Sequence, residues 1–401
     1  MFTVTRSMAA WVCVGIAIGA IAGTGSAALL VILDEATLLR GNNPLAIWMM
    51  PAAGALTAWA YRAFGGRAAQ GNLAILAEIE KPALRLPVRM APMVLVGTAL
   101  AHVTGASVGR EGTAVQMVVP IADQLTRAGT WRDADRRVLL TAAIAAGFAS
   151  VFGTPLAGMM FGLEVRRIGA MRYDALLACL AAAFAADAVT DAWGIQHTRH
   201  AIGDIPPLGF MTGAEAAIAG LAFGLAARAF VRSTRCISLH ATRWIPSAPV
   251  RAAIGGSAVI LAVSVLGIDR HLGLSLPLIA DAFDGPVAPW DWLAKLVLTA
   301  ACVATGFRGG EVTPLFVIGA TLGNALALAL ALPVPLLAGM GMVATFAGAS
   351  NAPLASIIAG IEMFGPTPVA YLAIACVGAY LASGHAGMYP GQAIEQPKYG
   401  N

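Results

Sequence analysis

Two glutamates lie in glycine-containing motifs within strongly apolar stretches of the chain. Glu111 is part of "GREGT" at residues 109–113, and Glu311 is part of "GGEVT" at residues 309–313. An ionised carboxylate at the centre of a bilayer costs about 2.5–3.5 kcal/mol on insertion scales, so a chain that keeps one there usually has a use for it. A carboxyl group that switches between a neutral and an ionised form can carry a proton. When ionised, it can also compete with an anion for the same hydrogen-bond donors.

The composition indicates a membrane protein. The chain has 401 residues, of which 58% are hydrophobic and 11% are charged, and its mean hydropathy is +0.77. Soluble domains carry about 25% charged residues. The formal net charge of +4 is not gathered into a basic face, so no nucleic-acid partner is expected. Lys and Arg concentrate instead in short connections such as 132–137 and 164–174, which is typical of the inner loops of membrane proteins.

The elements that must position the two motifs are apolar helices of unequal length. The run after Arg6 is too long for a signal peptide and is expected to stay as a spanning helix. Other runs, such as 113–125 and 274–283, are too short for a full crossing. Many of the 45 glycines and 22 prolines fall inside the apolar runs. We therefore expect broken or re-entrant helices that end at membrane depth, where ion sites often form.

The chain contains an internal repeat. "FASVFGTPLAGMMFGLE" at 148–164 matches "FAGASNAPLASIIAGIE" at 346–362, and the two glutamate motifs match in nearly the same register. This predicts two membrane repeats, residues 1–200 and 201–401. The repeat by itself leaves parallel and inverted arrangements open. If the halves are inverted, the motifs meet near the bilayer midplane, and the helix starts that follow them present free N–H groups to an anion.

At these motifs the chain resembles the CLC family of chloride channels and anion/proton antiporters, over nearly its whole length. The family carries its gating glutamate in "GREGP", and here the proline is Thr113. Chloride-type members have "GxFxP" where this chain reads "GGEVTPLF" at 309–316, and their "GSGIP" is replaced by "AAQGNLAILAEI" at 68–79. These changes resemble the fluoride/proton antiporter branch of bacterial CLC proteins. Tyr389 in "GMYPG" matches the central tyrosine of the family.

The resemblance implies an all-α polytopic membrane protein with the CLC-type fold, in which two inverted-topology repeats contain broken and re-entrant helices. It implies a secondary active transporter that exports fluoride in exchange for protons across the bacterial inner (plasma) membrane and gives fluoride resistance. A chloride/proton antiporter or a CLC-type anion channel is the alternative. The resemblance also implies a homodimer in the lipid bilayer with one pathway in each subunit.

Other functions find little support in the sequence. No motif such as HExxH is present, so the chain is not expected to be an enzyme. The six histidines show no metal-ligand spacing, and neither a metal nor a cofactor is expected. Only 12 residues follow Tyr389, so the cytoplasmic regulatory domains of some CLC proteins are not expected here.

The resemblance also gives roles to individual residues. Glu111 is the proton-coupled gating glutamate, and Glu311 belongs to the proton route. Alignment on Gly71 places Asn72 where chloride-type members have an anion-coordinating serine, and a slipped register would place Gln70 there instead. The residues expected to bind the anion are Asn72, Gly109, Arg110, Gly112, Val312, Thr313 and Tyr389. Amide and hydroxyl donors suit fluoride, which is strongly hydrated and is a good hydrogen-bond acceptor.

Each role has a structural alternative. Glu111 could lie in a surface loop, and Glu311 could pair with Arg308 or an amide. Asn72 could cap a helix or bond between helices. Thr313 could bond the backbone of its own helix.

Three further residues also have structural interpretations. Tyr389 could belong to an aromatic girdle at the membrane surface. Glu164 and Glu362, which end the two repeated segments, are interpreted as structural carboxylates at helix ends.

Overall fold

The computed structural model describes residues 7–127 and 131–399, and this part of the chain is almost entirely helical. Eight α-helices precede residue 200. They are α1 (Met8–Asn42), α2 (Met50–Ala60), α3 (Asn72–Glu80), α4 (Met90–Thr104), α5 (Glu111–Ala122), α6 (Asp133–Phe152), α7 (Pro155–Glu164) and α8 (Leu176–Ala192). Eight more follow within the described residues. They are α9 (Phe210–Trp244), α10 (Ala248–Leu266), α11 (Leu276–Asp284), α12 (Asp291–Thr305), α13 (Val312–Leu326), α14 (Val334–Ser350), α15 (Pro353–Phe364) and α16 (Val369–Ala382).

The helices differ in length as the hydropathy pattern predicts. Four helical segments of the described chain are long and apolar enough to cross a membrane, at 8–42, 173–192, 210–244 and 248–266. In contrast, α5 has 12 residues and α11 has 9. At 1.5 Å per residue, about 20 residues are needed to cross the hydrocarbon layer. The expectation of broken helices in a polytopic membrane protein is therefore confirmed.

The helix before each glutamate motif ends in the same way. Gly105 terminates α4 with a φ of 83°, and Gly306 terminates α12 with a φ of 115°. Positive φ values are strained for residues with a Cβ, so glycine at these positions allows the chain to leave the helix abruptly. The motif follows within a few residues and starts the next helix, α5 or α13. This local pattern places both helix starts inside the protein.

The two repeated segments cap one another. Glu164, at the end of α7, accepts hydrogen bonds from the N–H groups of Leu354 (3.1 Å) and Ala355 (2.9 Å) at the start of α15. Glu362, in α15, accepts hydrogen bonds from the N–H groups of residues 156 (2.9 Å) and 157 (2.8 Å) at the start of α7. Each carboxylate therefore satisfies the free N–H groups of a helix in the other half. This reciprocity relates the halves as in an inverted repeat.

The C-terminal tail is tied to the first half by a short parallel ladder. Strand β1 (Arg167–Ile168) pairs with strand β2 (Ala393–Ile394). Helical periodicity and hydropathy do not indicate these two-residue strands. The ladder fixes the tail just after Tyr389 and so helps to hold this tyrosine within the helical core.

Candidate ion-binding site

The two glutamate motifs meet inside the protein. The Gly109 N–H donates to the Gly310 carbonyl, and the Gly310 N–H donates to the Gly109 carbonyl, with N···O distances of 2.6 Å in both cases. A Cβ on Gly310 would lie 2.8 Å from the backbone nitrogen of Gly112 and 3.0 Å from that of Glu111. These distances are too short for any side chain on residue 310. Glycine therefore lets the starts of α5 and α13 converge.

The Glu111 carboxylate lies at this convergence and is held by the opposite half. The residue is 2% exposed. The Thr313 N–H donates to its Oε2 atom at 3.1 Å, and the Thr313 hydroxyl donates to its Oε1 atom. The Arg110 N–H also donates to Oε2, at 3.2 Å. A surface-loop position for Glu111 is thus excluded, and the Thr313 hydroxyl does not bond its own helix.

The side chains of Arg110 and Thr113, in the same motif as Glu111, have different neighbours. The Arg110 Nε atom lies 4.0 Å from Glu111 Oε1 and, within the described chain, has no hydrogen-bond acceptor. The Thr113 hydroxyl lies 2.8 Å from the hydroxyl of Thr98. Thr113, which distinguishes this motif from "GREGP", therefore does not contact the Glu111 carboxylate through its hydroxyl.

A small inner cavity adjoins Glu111. Its volume is about 20 Å³, and its walls include Asn72, Glu111, Val312 and Tyr389. Roughly 10–15 Å³ measured in this way accommodates one water molecule. The inner cavity therefore has room for one particle of that size.

Two larger cavities flank the inner cavity. We call the larger of the two the inner vestibule. It has a volume of about 570 Å³ and is lined in part by Asn72, Arg308 and Glu311. We call the smaller one, of about 70 Å³, the outer vestibule, and it is lined in part by Arg110 and Glu111. Asn72 lines both the inner vestibule and the inner cavity, and Glu111 lines both the inner cavity and the outer vestibule. These two side chains therefore mark the two ends of the inner cavity.

Asn72 begins α3 without capping it. Its Oδ1 atom is buried and has no hydrogen-bond partner among the residues that the structure describes. Gly71, with a φ of 54°, turns the chain so that Asn72 reaches the inner cavity. Gln70 is exposed and lines only the inner vestibule. Asn72 is therefore the one of these two amides that reaches the inner cavity.

Glu311 precedes α13 and faces the inner vestibule. In the part of the chain that is described, its carboxylate makes no ion pair or side-chain hydrogen bond. The Arg308 guanidinium instead lies over the Tyr61 ring, 3.8 Å from its centroid. The structural alternative of a Glu311–Arg308 ion pair is thus not formed. The positive charge of Arg235, which also lines the inner vestibule, acts on Glu311.

Tyr389 is a core residue. It is 9% exposed, and its ring lies edge-on to Phe161 with centroids 6.0 Å apart. It is close enough to Glu111 and Glu311 for their charges to act on it. A position in an aromatic girdle at the membrane surface is therefore excluded.

An aromatic cluster beside the inner cavity was missed by the sequence reasoning. The Phe148 ring stacks on Phe161 at 4.4 Å and on Phe346 at 5.9 Å between centroids. Phe316 contacts Phe346 at 5.8 Å. The signal was available, because Phe148 and Phe346 are equivalent in the internal repeat. Phe148 and Phe161 line the inner cavity and limit its size.

One cluster of residues with metal-ligand atoms was also not apparent from the spacing of the histidines. Ligand atoms of Asp187, Asp191 and His197 lie within 4.8 Å of one another. Asp191 is exposed, and the positive charge of Arg199 acts on Asp187. We assign no cation site to this cluster.

Comparison with known proteins identifies the family. The model described as "Voltage gated chloride channel" matches residues 53–384. The chain belongs to the CLC family. A "Chloride/fluoride channel protein" of Pseudomonas syringae pv. tomato is 48% identical over 398 residues, which are 98% of this chain and 88% of that protein. A "Putative chloride channel protein ClcB-like" of Ralstonia nicotianae is 29% identical, over 70% of this chain and 68% of its own.

Solved CLC structures share the fold. The structure described as a "CLC-type fluoride/proton antiporter" superposes with a TM-score of 0.94 and 33% identity, covering 98% of this chain and 100% of that chain. A "slow cyanobacterial Cl-/H+ antiporter" gives a TM-score of 0.80 at 21% identity, covering 95% of both chains. The CLC-type fold predicted from the motifs is therefore confirmed, and this protein is similar to the fluoride branch of the CLC family.

Proposed function

We propose that this CLC protein is a secondary active transporter that exchanges fluoride for protons. In this proposal it exports fluoride across the bacterial inner membrane, gives fluoride resistance and works as a homodimer. The observation that carries the proposal is the position of Glu111. Its carboxylate lies between the inner cavity and the outer vestibule and is held by Thr313 of the opposite half.

One side chain at this position can couple an anion to a proton. Ionised Glu111 occupies the N–H and O–H donors of Thr313, which are the same groups that an anion needs. When Glu111 is protonated it loses its charge and binds these donors less strongly. An anion then takes them, and the neutral glutamic acid carries a proton away from the site. An anion that enters from the inner cavity therefore requires a proton taken up by Glu111 from the outer vestibule, so the two ions move in opposite directions.

Three observations support fluoride as the anion. The inner cavity holds one particle of the size of water, and fluoride is close to that size. The Thr313 hydroxyl and the Asn72 amide offer the polar contacts that a strongly hydrated ion needs on losing its water. The Pseudomonas relative is named for chloride and fluoride, and the similar solved structure is described as a fluoride/proton antiporter.

The proton leaves by way of Glu311 in this proposal. Glu311 faces the inner vestibule and makes no ion pair among the described residues, so it is available to protonation from that side. Tyr389 interacts electrostatically with both Glu111 and Glu311. The two carboxylates thus provide two proton-binding groups that both interact with the tyrosine, and the anion passes Asn72 to reach the same vestibule.

A flux experiment tests this function. The purified protein is reconstituted in liposomes loaded with fluoride or chloride, and a fluoride or chloride electrode is read together with a pH electrode. Fluoride efflux from the wild type is expected to drive protons into the vesicles. Glu111→Gln is expected to abolish this coupled proton movement, whereas Glu35→Gln, an exposed glutamate of α1, is expected to keep it.

The same assay separates the alternatives. If chloride drives protons as well as fluoride does, the protein is a chloride/proton antiporter. If fluoride moves without protons in the wild type, it is a channel. Chemical cross-linking of the protein in lipid vesicles measures the oligomeric state, and a product with the mass of two chains is expected.

A further inference from the structure

Two arginines of α9 lie about one hydrocarbon thickness from the start of the helix. The helix begins at Phe210, and Arg228 and Arg232 follow 18 and 22 residues later. At 1.5 Å per residue they are about 27 Å and about 33 Å along the helix from Phe210. The hydrocarbon layer is about 30 Å thick. A helix that enters this layer at Phe210 therefore brings both arginines near its opposite boundary.

Neither arginine is neutralised by the part of the protein that the structure describes. Within residues 7–127 and 131–399, no carboxylate lies within 4.0 Å of the Arg228 or Arg232 guanidinium, and neither side chain donates a hydrogen bond to a protein acceptor. Like charges four residues apart on a helix repel each other. Arginines near the end of a membrane helix can extend to the polar interface, so these two guanidinium groups are available to an anion at the membrane surface.

The two arginines line a pocket of about 210 Å³, which we term the α9 pocket. One wall is formed by α9, and the other by the segment after α16 together with the C-terminal tail. The residues that line the pocket beside the two arginines include Ser383, His385 and Tyr399.

The lysine of the C-terminal tail does not supply the pocket with a free charge. Lys398 Nζ donates to the carbonyls of Tyr380 (2.7 Å) and Gly384 (2.6 Å) and to the Ser383 hydroxyl (3.0 Å). It also lies 3.9 Å from the centroid of the Tyr380 ring. The ammonium group thereby fastens the tail against α16. The cations left to bind an anion in the α9 pocket are Arg228 and Arg232.

We infer that the α9 pocket binds the phosphodiester headgroup of an anionic phospholipid through Arg228 and Arg232. Guanidinium groups match phosphate oxygens in geometry as well as charge. A lipid fits better than a soluble phosphate because the pocket adjoins apolar helix surface. Leu225, one turn from Arg228 toward the membrane interior, is 57% exposed, and Leu381 of α16 is 44% exposed. Acyl chains can cover these side chains while the headgroup occupies the pocket.

Lipid binding would also stabilise the contact between α9 and the C-terminal tail. Arg228 and Arg232 belong to α9, whereas His385 and Tyr399 flank the segment that carries Tyr389. The His385 and Tyr399 rings pack edge-to-face with centroids 4.9 Å apart. A headgroup in the pocket contacts both walls, so its binding stabilises the docked tail. This inference does not depend on which anion the protein transports.

The test measures lipid binding directly. Native mass spectrometry of the purified full-length protein counts bound phosphatidylglycerol and phosphatidylcholine, and thermal unfolding in detergent records the stabilisation by each. We expect phosphatidylglycerol to bind and to raise the unfolding temperature of the wild type, and phosphatidylcholine to do neither. Each arginine replaced is expected to weaken phosphatidylglycerol binding about fivefold. Arg228→Gln/Arg232→Gln is therefore expected to lose most of the bound lipid.

The control variants distinguish lipid binding in the α9 pocket from a general effect of removing positive charge. Arg62→Gln/Arg243→Gln removes two exposed arginines outside the pocket, one of them on α9, and is expected to bind as the wild type does. If the double variant does not fold, the single variant Arg232→Gln, at an exposed position, is measured in its place. Equal phosphatidylglycerol affinity in Arg232→Gln and the wild type would overturn the inference. So would stabilisation by inorganic phosphate equal to that by phosphatidylglycerol.

Discussion

The Thr313 hydroxyl donates a hydrogen bond to the Glu111 carboxylate, although 202 residues separate them in the sequence. The Thr313 N–H supplies a second hydrogen bond at 3.1 Å. The carboxylate comes from the first glutamate motif and these donors from the second, so neither motif forms this arrangement alone. The duplication of the chain therefore has a direct counterpart in the geometry of the site.

Replacing Thr313 with valine removes the hydroxyl at nearly constant volume. A hydrogen bond to a charged group contributes about 1.5–3 kcal/mol, which corresponds to roughly a 10- to 100-fold change in an equilibrium constant. We expect Thr313→Val to raise the fluoride concentration needed for half-maximal coupled proton flux by about this factor, because the anion loses a donor. Thr313→Ser keeps the hydroxyl and is expected to stay close to the wild type. An unchanged fluoride dependence in Thr313→Val would show that the hydroxyl does not bind the anion.

Asn72 and Gln70 provide a matched pair at the inner vestibule. Both carry side-chain amides, but only Asn72 also lines the inner cavity. We expect Asn72→Ala to reduce fluoride flux in liposomes about tenfold, since one polar contact of roughly 1.4 kcal/mol is lost. Gln70→Ala is expected to have little effect. The reverse order of the two variants would mean that the anion path follows Gln70.

Much of the fold could be predicted because its signals are local. Hydropathy marks the long helices, glycine marks the abrupt ends of α4 and α12, and the repeat relates Glu164 to Glu362. The single glycine before Asn72 predicted its register, and this assignment stays a prediction that the Asn72→Ala and Gln70→Ala pair tests.

The cross-half contacts could not be predicted in this way. That Glu362 caps α7, or that Thr313 donates to Glu111, depends on packing between segments about 200 residues apart. The β1–β2 ladder has only two residues in each strand, too few for a periodic signal. The position of Arg308 over Tyr61 likewise arises from tertiary packing, and the sequence alone left a pair between Arg308 and Glu311 open as an alternative.

Glu311→Gln separates the proton route from the anion route. Glutamine keeps the shape of the side chain but cannot take up a proton. Because Glu311 lies on the inner vestibule and not on the inner cavity, we expect the variant to slow coupled proton flux at least tenfold while fluoride still binds. Fluoride binding can be measured by isothermal titration calorimetry and proton flux by a pH electrode. Full proton coupling in Glu311→Gln would remove this residue from the route.

Gly310→Ala tests whether close backbone contact is needed at the motif junction. The added Cβ would lie 2.8–3.1 Å from the backbone nitrogens of three residues at the start of α5. Backbone atoms cannot move aside as a flexible side chain can, so we expect loss of transport and a lower unfolding temperature. Gly25→Ala in α1 is the matched control, because its Cβ would meet no atom within 4 Å. It is expected to leave transport intact, since alanine favours a helix more than glycine does.

Glu164 and Glu362 offer a test of the reciprocal caps. Each carboxylate accepts two N–H groups from the other half, and glutamine would turn an amide toward one of these donors. Leaving a buried N–H unsatisfied costs about 1–3 kcal/mol. We therefore expect Glu164→Gln and Glu362→Gln each to lower the unfolding temperature in detergent, with Glu35→Gln unchanged. Because the caps join the same pair of helices, the double variant should lose less than the sum of the two single losses. Strict additivity would mean that α7 and α15 are held independently.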